Sequence, residues 1–131
     1  MPSFRKALRS RAKSIRIAIG GIKHVLVTQH NAWIHGAISL VVILLGLILD
    51  LARWEWVSLF LVMGLVWMAE IFNTAVELMV DMVNPQPSQI AKLVKDVSAG
   101  AVLFCALISV VVGLLVLGPN LLDLLSSLFN R

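Results

Sequence analysis

The sequence predicts an all-α integral membrane fold: three transmembrane helices preceded by an N-terminal amphipathic surface helix, in one domain spanning residues 1–131. Three observations carry this. Hydrophobic residues make up 60 % of the chain, only 14 % are charged, and the mean hydropathy is +0.95. Soluble domains are nearer half apolar and a quarter charged. The apolar residues gather into three runs, each long enough to cross a hydrocarbon core about 30 Å thick. Finally, Arg5, Lys6, Arg9, Arg11, Lys13, Arg16 and Lys23 crowd a leading segment that holds no acid. In a soluble protein that segment would suggest nucleic-acid binding. Directly before membrane helices it reads instead as a membrane-surface segment, and no nucleic-acid partner is expected.

Residues 3–28, within a surface segment 1–30, read as an amphipathic helix. Phe4, Leu8, Ile15, Ile19, Ile22 and Leu26 supply its apolar side and the basic residues much of the rest. Such a helix lies in the interface with Lys and Arg reaching headgroups. Gly20-Gly21 marks a kink or a close helix contact. The segment lacks the apolar core and small-residue site of a signal peptide, so no cleavage is expected. Thr28 or Asn31 is expected to cap the next helix. His30 and His35 do not share a helix face, which argues against zinc, and a lone His35 reads as a structural residue.

The first span is 32–49. Asp50-Leu51-Ala52-Arg53-Trp54-Glu55-Trp56 then makes a short charged turn, so spans one and two are antiparallel neighbours, with Trp54 and Trp56 as an interfacial belt. The second helix runs over 54–83 until Asn84-Pro85-Gln86-Pro87 stops it, because proline cannot continue a helix and the residue before it avoids the helical region. Ser88 or Gln89 opens the third helix, 88–117. Gly118-Pro119-Asn120 is expected to end it, leaving 118–131 as a tail. Cys105, the single cysteine, sits in an apolar run and reads as a small buried hydrophobe. Most basic residues fall on the side of the N-terminus, Lys92 and Lys95, with only Arg53 and Arg131 on the other. The positive-inside rule puts the former side at the cytoplasm.

The residues that call for chemistry lie at the cytoplasmic end of the second helix. Glu70, Asn73, Thr74, Glu77 and Asp81 recur at intervals that place them on one stripe. Acids near the end of a membrane helix need partners. Counting about 20 residues for the core puts Glu70 just inside the boundary, at the depth of a lipid hydroxyl, where a carboxylate suits a general base. Glu77 lies further out. With an oxygen ligand from a neighbouring helix it suits Mg²⁺, which completes its shell with phosphate oxygens and water. Lys95 can neutralise a phosphate as a point charge. Together they suit in-line attack of a lipid hydroxyl on a γ-phosphate. No Walker-type glycine loop is present, so any ATP site is built from helix faces. An interhelical polar network or a solvated helix end remains the competing explanation of the stripe.

Ala69-Glu70-Ile71-Phe72-Asn73-Thr74-Ala75-Val76-Glu77-Leu78-Met79-Val80-Asp81 closely resembles the signature of the prokaryotic diacylglycerol kinase family, which includes undecaprenol kinases. Lys95-Asp96-Val97-Ser98-Ala99-Gly100-Ala101-Val102 resembles the family's second motif, Ala18, Gly21 and Ile22 fit its N-terminal helix, and Asn31-Ala32-Trp33-Ile34-His35 is similar to a segment of the undecaprenol-kinase branch. The resemblance covers roughly residues 11–117. It implies a homotrimer in the prokaryotic inner (cytoplasmic) membrane, with active sites between subunits at the cytoplasmic face. ATP and a membrane lipid alcohol would be the substrates and Mg²⁺ the cofactor. By position it makes Glu70 the catalytic base, Glu77 a metal ligand, Lys95 and Asp96 nucleotide contacts, and Asn73 a supporting residue, with Asp81 and Ala99 also on the supporting or substrate side. One departure stands out: the family usually carries a second metal-binding glutamate where this chain has Gln29. The metal pair is then Glu77 and Gln29, and the ATP-binding set Gln29, Glu77, Lys95 and Asp96. The Asn31–His35 segment and the Ala99-Gly100-Ala101-Val102 run favour undecaprenol over diacylglycerol. Two other readings compete: a membrane scaffold that lost activity through Gln29, and a small cation or proton carrier using Glu70 and Glu77. The first and third spans hold no acid at mid-membrane, which counts against the carrier.

Overall fold

The computed structural model describes residues 4–129, with backbone alone for Phe4 and Arg5. Ser3, where the expected surface helix begins, and Arg131 lie outside the described residues. Four helices follow one another: α1 (Phe4–Thr28), α2 (His30–Ile48), α3 (Arg53–Val83) and α4 (Gln89–Phe129). Of these, α2, α3 and α4 are long and apolar enough to cross a membrane. Their outward faces carry exposed large side chains such as Leu44, Phe60, Leu61, Phe104 and Leu114, which suits lipid or another apolar surface as the surrounding medium.

The helix α1 is continuous through Gly20 and Gly21, and a Cβ on either would meet nothing within 4 Å. The expected close contact there does not form among the described residues. Gln29 alone joins α1 to α2, in extended conformation at the N-cap position without a side-chain cap bond. Neither expected cap forms: Thr28 Oγ1 donates back to His24 O at 2.8 Å, and Asn31 lies inside α2. The N-cap position thus falls on Gln29, which is not one of the short polar residues that reach the free N–H groups.

The α2–α3 turn is tighter and better built. Asp50 takes a left-handed conformation (φ 49°), and Leu51 N–H donates to Gly46 O at 3.4 Å, the wrap that closes a helix C-terminus when the residue after the cap is left-handed. Leu51 is thereby buried with Leu59 and Val116, against Val42, Trp56, Met63 and Val112. Gly46 lets the helices come this close: a Cβ there would lie 2.7 Å from the Trp56 ring.

The bundle is organised around α3 and α4, which pack along each other more extensively than any other pair. Ser88 opens α4, accepting from Ala91 N–H at 3.1 Å. Contrary to the boundary expected at 118, α4 does not end at Gly118-Pro119-Asn120 but continues to Phe129 with Pro119 inside it. Its 41 residues give a helix roughly 60 Å long, well over the thickness of a bilayer core. Proline removes the N–H that Leu115 O would receive. The next residue secures the turn: Asn120 Nδ2 donates to Val116 O at 2.8 Å and to Glu55 Oε1 at 2.7 Å. Glu55 Oε2 accepts from Ala52 N–H at 2.7 Å, so this buried acid caps α3 and ties down α4 together.

Candidate functional site

Glu70, Asn73, Thr74 and Glu77 do share one face of α3, and that face turns inward. Glu70 is 1 % exposed, Asn73 5 % and Thr74 2 %, Glu77 is half-buried and Asp81 exposed. The stripe therefore runs from a dry end to a wet end. Seven residues of helix separate Glu70 from Glu77, about 10 Å along the axis.

At the dry end Glu70 faces a cavity of about 230 Å³ between α2, α3 and α4, lined also by Asn31, Ile34, His35, Asn73, Ala99 and Val102. Both carboxylate oxygens are buried without a hydrogen-bond partner among the described residues. Buried carboxylates are costly unless paired, so an unpaired one facing a cavity is a group prepared for a ligand or a proton. Thr74 is not such a group: its hydroxyl is spent on Glu70 O at 2.9 Å. A further hollow of about 90 Å³ shares His35 and Ala106 with this cavity and extends along Ile38, Met63, Val66 and Val110. This neighbouring hollow is small and mostly apolar, with Ser39 and Ser109 also in its wall.

At the wet end a larger hollow of about 640 Å³ lies beside the α3–α4 loop, lined by Asp81, Asn84–Gln89, Lys92, Lys95 and Asp96. Lys95 Nζ pairs with Asp81 Oδ1 at 2.5 Å, an exposed pair that stabilises little but aims the ammonium. Between the two hollows runs a hydrogen-bonded series. Ser98 Oγ donates to Asn73 Oδ1 at 2.6 Å, and Asn73 Nδ2 donates to Glu77 Oε1 at 3.0 Å.

For a divalent cation the donor set is sparse. Among the described residues no three His, Cys, Asp or Glu side chains converge. Glu77, half-buried and oriented by Asn73, fits a hard cation that brings phosphate oxygens and water as its other ligands. Gln29 is half-buried at the α1–α2 joint and lines neither hollow.

Sequence reasoning found Glu70, Asn73, Glu77, Asp81, Lys95, Asp96 and Ala99, and the structure distributes them over these two hollows and the link between them. It passed over Ser98 and took His35 as structural. His35 falls one turn after Asn31, and Asn31, Ile34 and His35 all line the Glu70 cavity.

Comparison with known proteins agrees with the motifs. Residues 16–117 match the family described as Prokaryotic diacylglycerol kinase. The chain is 37 % identical over 109 residues to the undecaprenol kinase of Bacillus subtilis (strain 168), covering 83 % of this chain and 89 % of that protein. It is 36 % identical over 133 aligned positions to the diacylglycerol kinase of Synechocystis sp. (strain ATCC 27184 / PCC 6803 / Kazusa), covering 95 % and 76 %. No solved structure gives a significant match. With the match spanning both polar segments and all three apolar helices, the chain belongs to the prokaryotic diacylglycerol kinase family.

Proposed function

We propose that this chain is a membrane lipid kinase that transfers the γ-phosphate of ATP to a lipid alcohol at the cytoplasmic leaflet. The observation that carries the reading is Glu70: a buried carboxylate with neither oxygen paired, facing a cavity at the depth of a lipid hydroxyl. Glu70 accepts the hydroxyl proton as the lipid oxygen bonds to the γ-phosphorus. The bond from that phosphorus to the β–γ bridging oxygen breaks, ADP leaves, and the proton passes from Glu70 to solvent. Lys95 and Asp96 contact the nucleotide in the outer hollow, Lys95 as a point charge. Asn73 orients Glu77, and Asp81 orients Lys95.

Glu77, with Gln29 as a neutral oxygen donor, would hold Mg²⁺. When bound, that cation offsets charge on the β- and γ-phosphate oxygens. A single chain offers few ligands, which supports the family arrangement of a homotrimer with sites between subunits and α1 as a basic amphipathic helix on the membrane surface. For the lipid, undecaprenol is favoured over diacylglycerol. Asn31, Ile34, His35, Ala99 and Val102 line the Glu70 cavity, and the hollow beside it is small, which suits one chain rather than two. The relative from Bacillus subtilis bears the name undecaprenol kinase.

The test is purified protein in mixed micelles with labelled ATP and Mg²⁺, offered undecaprenol and diacylglycerol separately. Transfer to both, with the higher kcat/KM for undecaprenol, is expected. Folded protein that phosphorylates neither refutes the kinase reading. Glu70→Gln should abolish transfer and leave the assembly intact; retained turnover removes Glu70 from the base role.

A further inference from the structure

We propose that Ser98 is a positioning residue that sets the metal-binding carboxylate of Glu77 through Asn73; this rests on the reading of Glu77 as a cation ligand. The inference follows from which group can face which. Asn73 is 5 % exposed and its amide lies between Glu77 Oε1 at 3.0 Å and Ser98 Oγ at 2.6 Å. An ionised carboxylate only accepts hydrogen bonds, so Asn73 must turn Nδ2 toward Glu77. That choice commits Oδ1 to Ser98 and requires a donor there. The Ser98 hydroxyl is that donor.

Ser98 Oγ also lies 2.9 Å from Lys95 O, one turn back along α4, so its single proton is shared between that carbonyl and Asn73 Oδ1, which is the shorter contact. The result is a directional series from α4 to α3: Ser98 donates to Asn73, Asn73 donates to Glu77. It leaves Glu77 oriented, with Oε2 free of hydrogen bonds among the described residues. Lys95 and Ser98 lie on adjacent turns of α4, one paired with Asp81 and the other with Asn73. The nucleotide-side lysine and the metal-side glutamate are therefore aligned by the same helix end. Without the Ser98 hydroxyl, Oδ1 loses its donor and the amide can rotate, and Glu77 loses its fixed orientation.

The test compares Ser98→Ala with Ser98→Thr in the full chain. Alanine suits a helix at least as well as serine, so helix propensity alone predicts a benign substitution. Threonine keeps the hydroxyl and its bond to the preceding turn. Mn²⁺ binding in the presence of ATP, followed by electron paramagnetic resonance, reads the site independently of turnover. Loss of a group that orients a metal ligand typically weakens binding about 10- to 100-fold, and Ser98→Ala should weaken Mn²⁺ by at least about tenfold on that scale. The Mg²⁺ concentration for half-maximal transfer should rise by a similar factor, with the protein still fully folded under the assay conditions. Ser98→Thr should recover most of both. Unchanged Mn²⁺ affinity in Ser98→Ala, or an equal loss in Ser98→Thr, overturns the proposal. If the unaltered protein binds Mn²⁺ yet phosphorylates no lipid, the kinase reading fails while the Mn²⁺ comparison still judges Ser98. If the unaltered protein binds no Mn²⁺ with ATP, the role of Glu77 and this inference fail together.

Discussion

Asn120→Leu tests whether α4 is tied to α3 beyond Pro119. Glu55 is a buried acid, 8 % exposed, that accepts two hydrogen bonds, from Ala52 N–H at 2.7 Å and Asn120 Nδ2 at 2.7 Å. Leucine matches asparagine in reach but donates nothing. Val116 O keeps the ordinary backbone donor that continues the helix, so the main loss is one bond to a charged acceptor, about 1.5–3 kcal/mol. Removing a partner from a fully buried ion costs more, about 3–5 kcal/mol, but Glu55 retains the Ala52 bond and stands at a helix end near the membrane surface. About 2 kcal/mol is therefore expected. The assay is equilibrium unfolding in mixed micelles, run as a double-mutant cycle with Glu55→Gln. A coupling of about 1 kcal/mol or more is expected for two groups in direct contact. Phosphate transfer per folded molecule should not change, because the pair lies at the end of the bundle remote from Glu70. A neutral Asn120→Leu with no coupling would refute the reasoning and return the helix end to Gly118, as the sequence alone suggests.

Four further outcomes are expected. Gly46→Ala places a Cβ 2.7 Å from the Trp56 ring and should destabilise by about 1–3 kcal/mol, the usual range for overpacking, with partial recovery when Trp56 is shortened to leucine; unfolding midpoints of the single and double variants check this. Asp50→Gly relieves a left-handed non-glycine residue and should stabilise by about 1 kcal/mol, measured the same way. Asp81→Asn breaks an exposed pair with Lys95 and should alter stability by less than about 1 kcal/mol while raising the KM for ATP. Gln29→Glu should lower the Mg²⁺ concentration needed for half-maximal transfer, and an unchanged dependence removes Gln29 from the ligand set.

What the sequence made legible was periodic or local. The acidic stripe shows itself because Glu70, Asn73, Glu77 and Asp81 recur at helical spacing within an apolar run, and the α3 end shows itself because two prolines follow Asn84. What stayed hidden depends on neighbours distant in sequence. Ser98 looks like any small helical residue until α4 brings it to Asn73, 25 positions away. Glu55 reads as part of a charged turn until Asn120, 65 positions away, reaches it. Pro119 misleads for a physical reason. In water a helix ends easily at proline because solvent satisfies the freed groups, whereas in and near lipid those groups have few other partners and the helix is maintained across the proline. The caps expected from Thr28 or Asn31 failed because the one N-cap position falls on Gln29, a residue type that caps poorly, while Thr28 still belongs to α1 and Asn31 already to α2.

The two ties between α3 and α4 have a consequence for how this membrane helix finds its alignment. From Val102 to Leu117 the α4 sequence is close to a uniform string of Val, Leu, Ile and small residues, and in a lipid medium apolar burial adds little that distinguishes one offset of two helices from the next. Such a segment could slide by a turn at small cost. Ser98 against Asn73 near one end and Asn120 against Glu55 near the other act as index marks on a ruler, roughly 33 Å apart along α4. A slip would separate both pairs at once and strand two buried polar groups. The remote Glu55–Asn120 pair therefore helps keep Lys95 and Ser98 opposite the right turn of α3, and a protein deprived of both marks should populate misaligned pairings even though its helices remain intact.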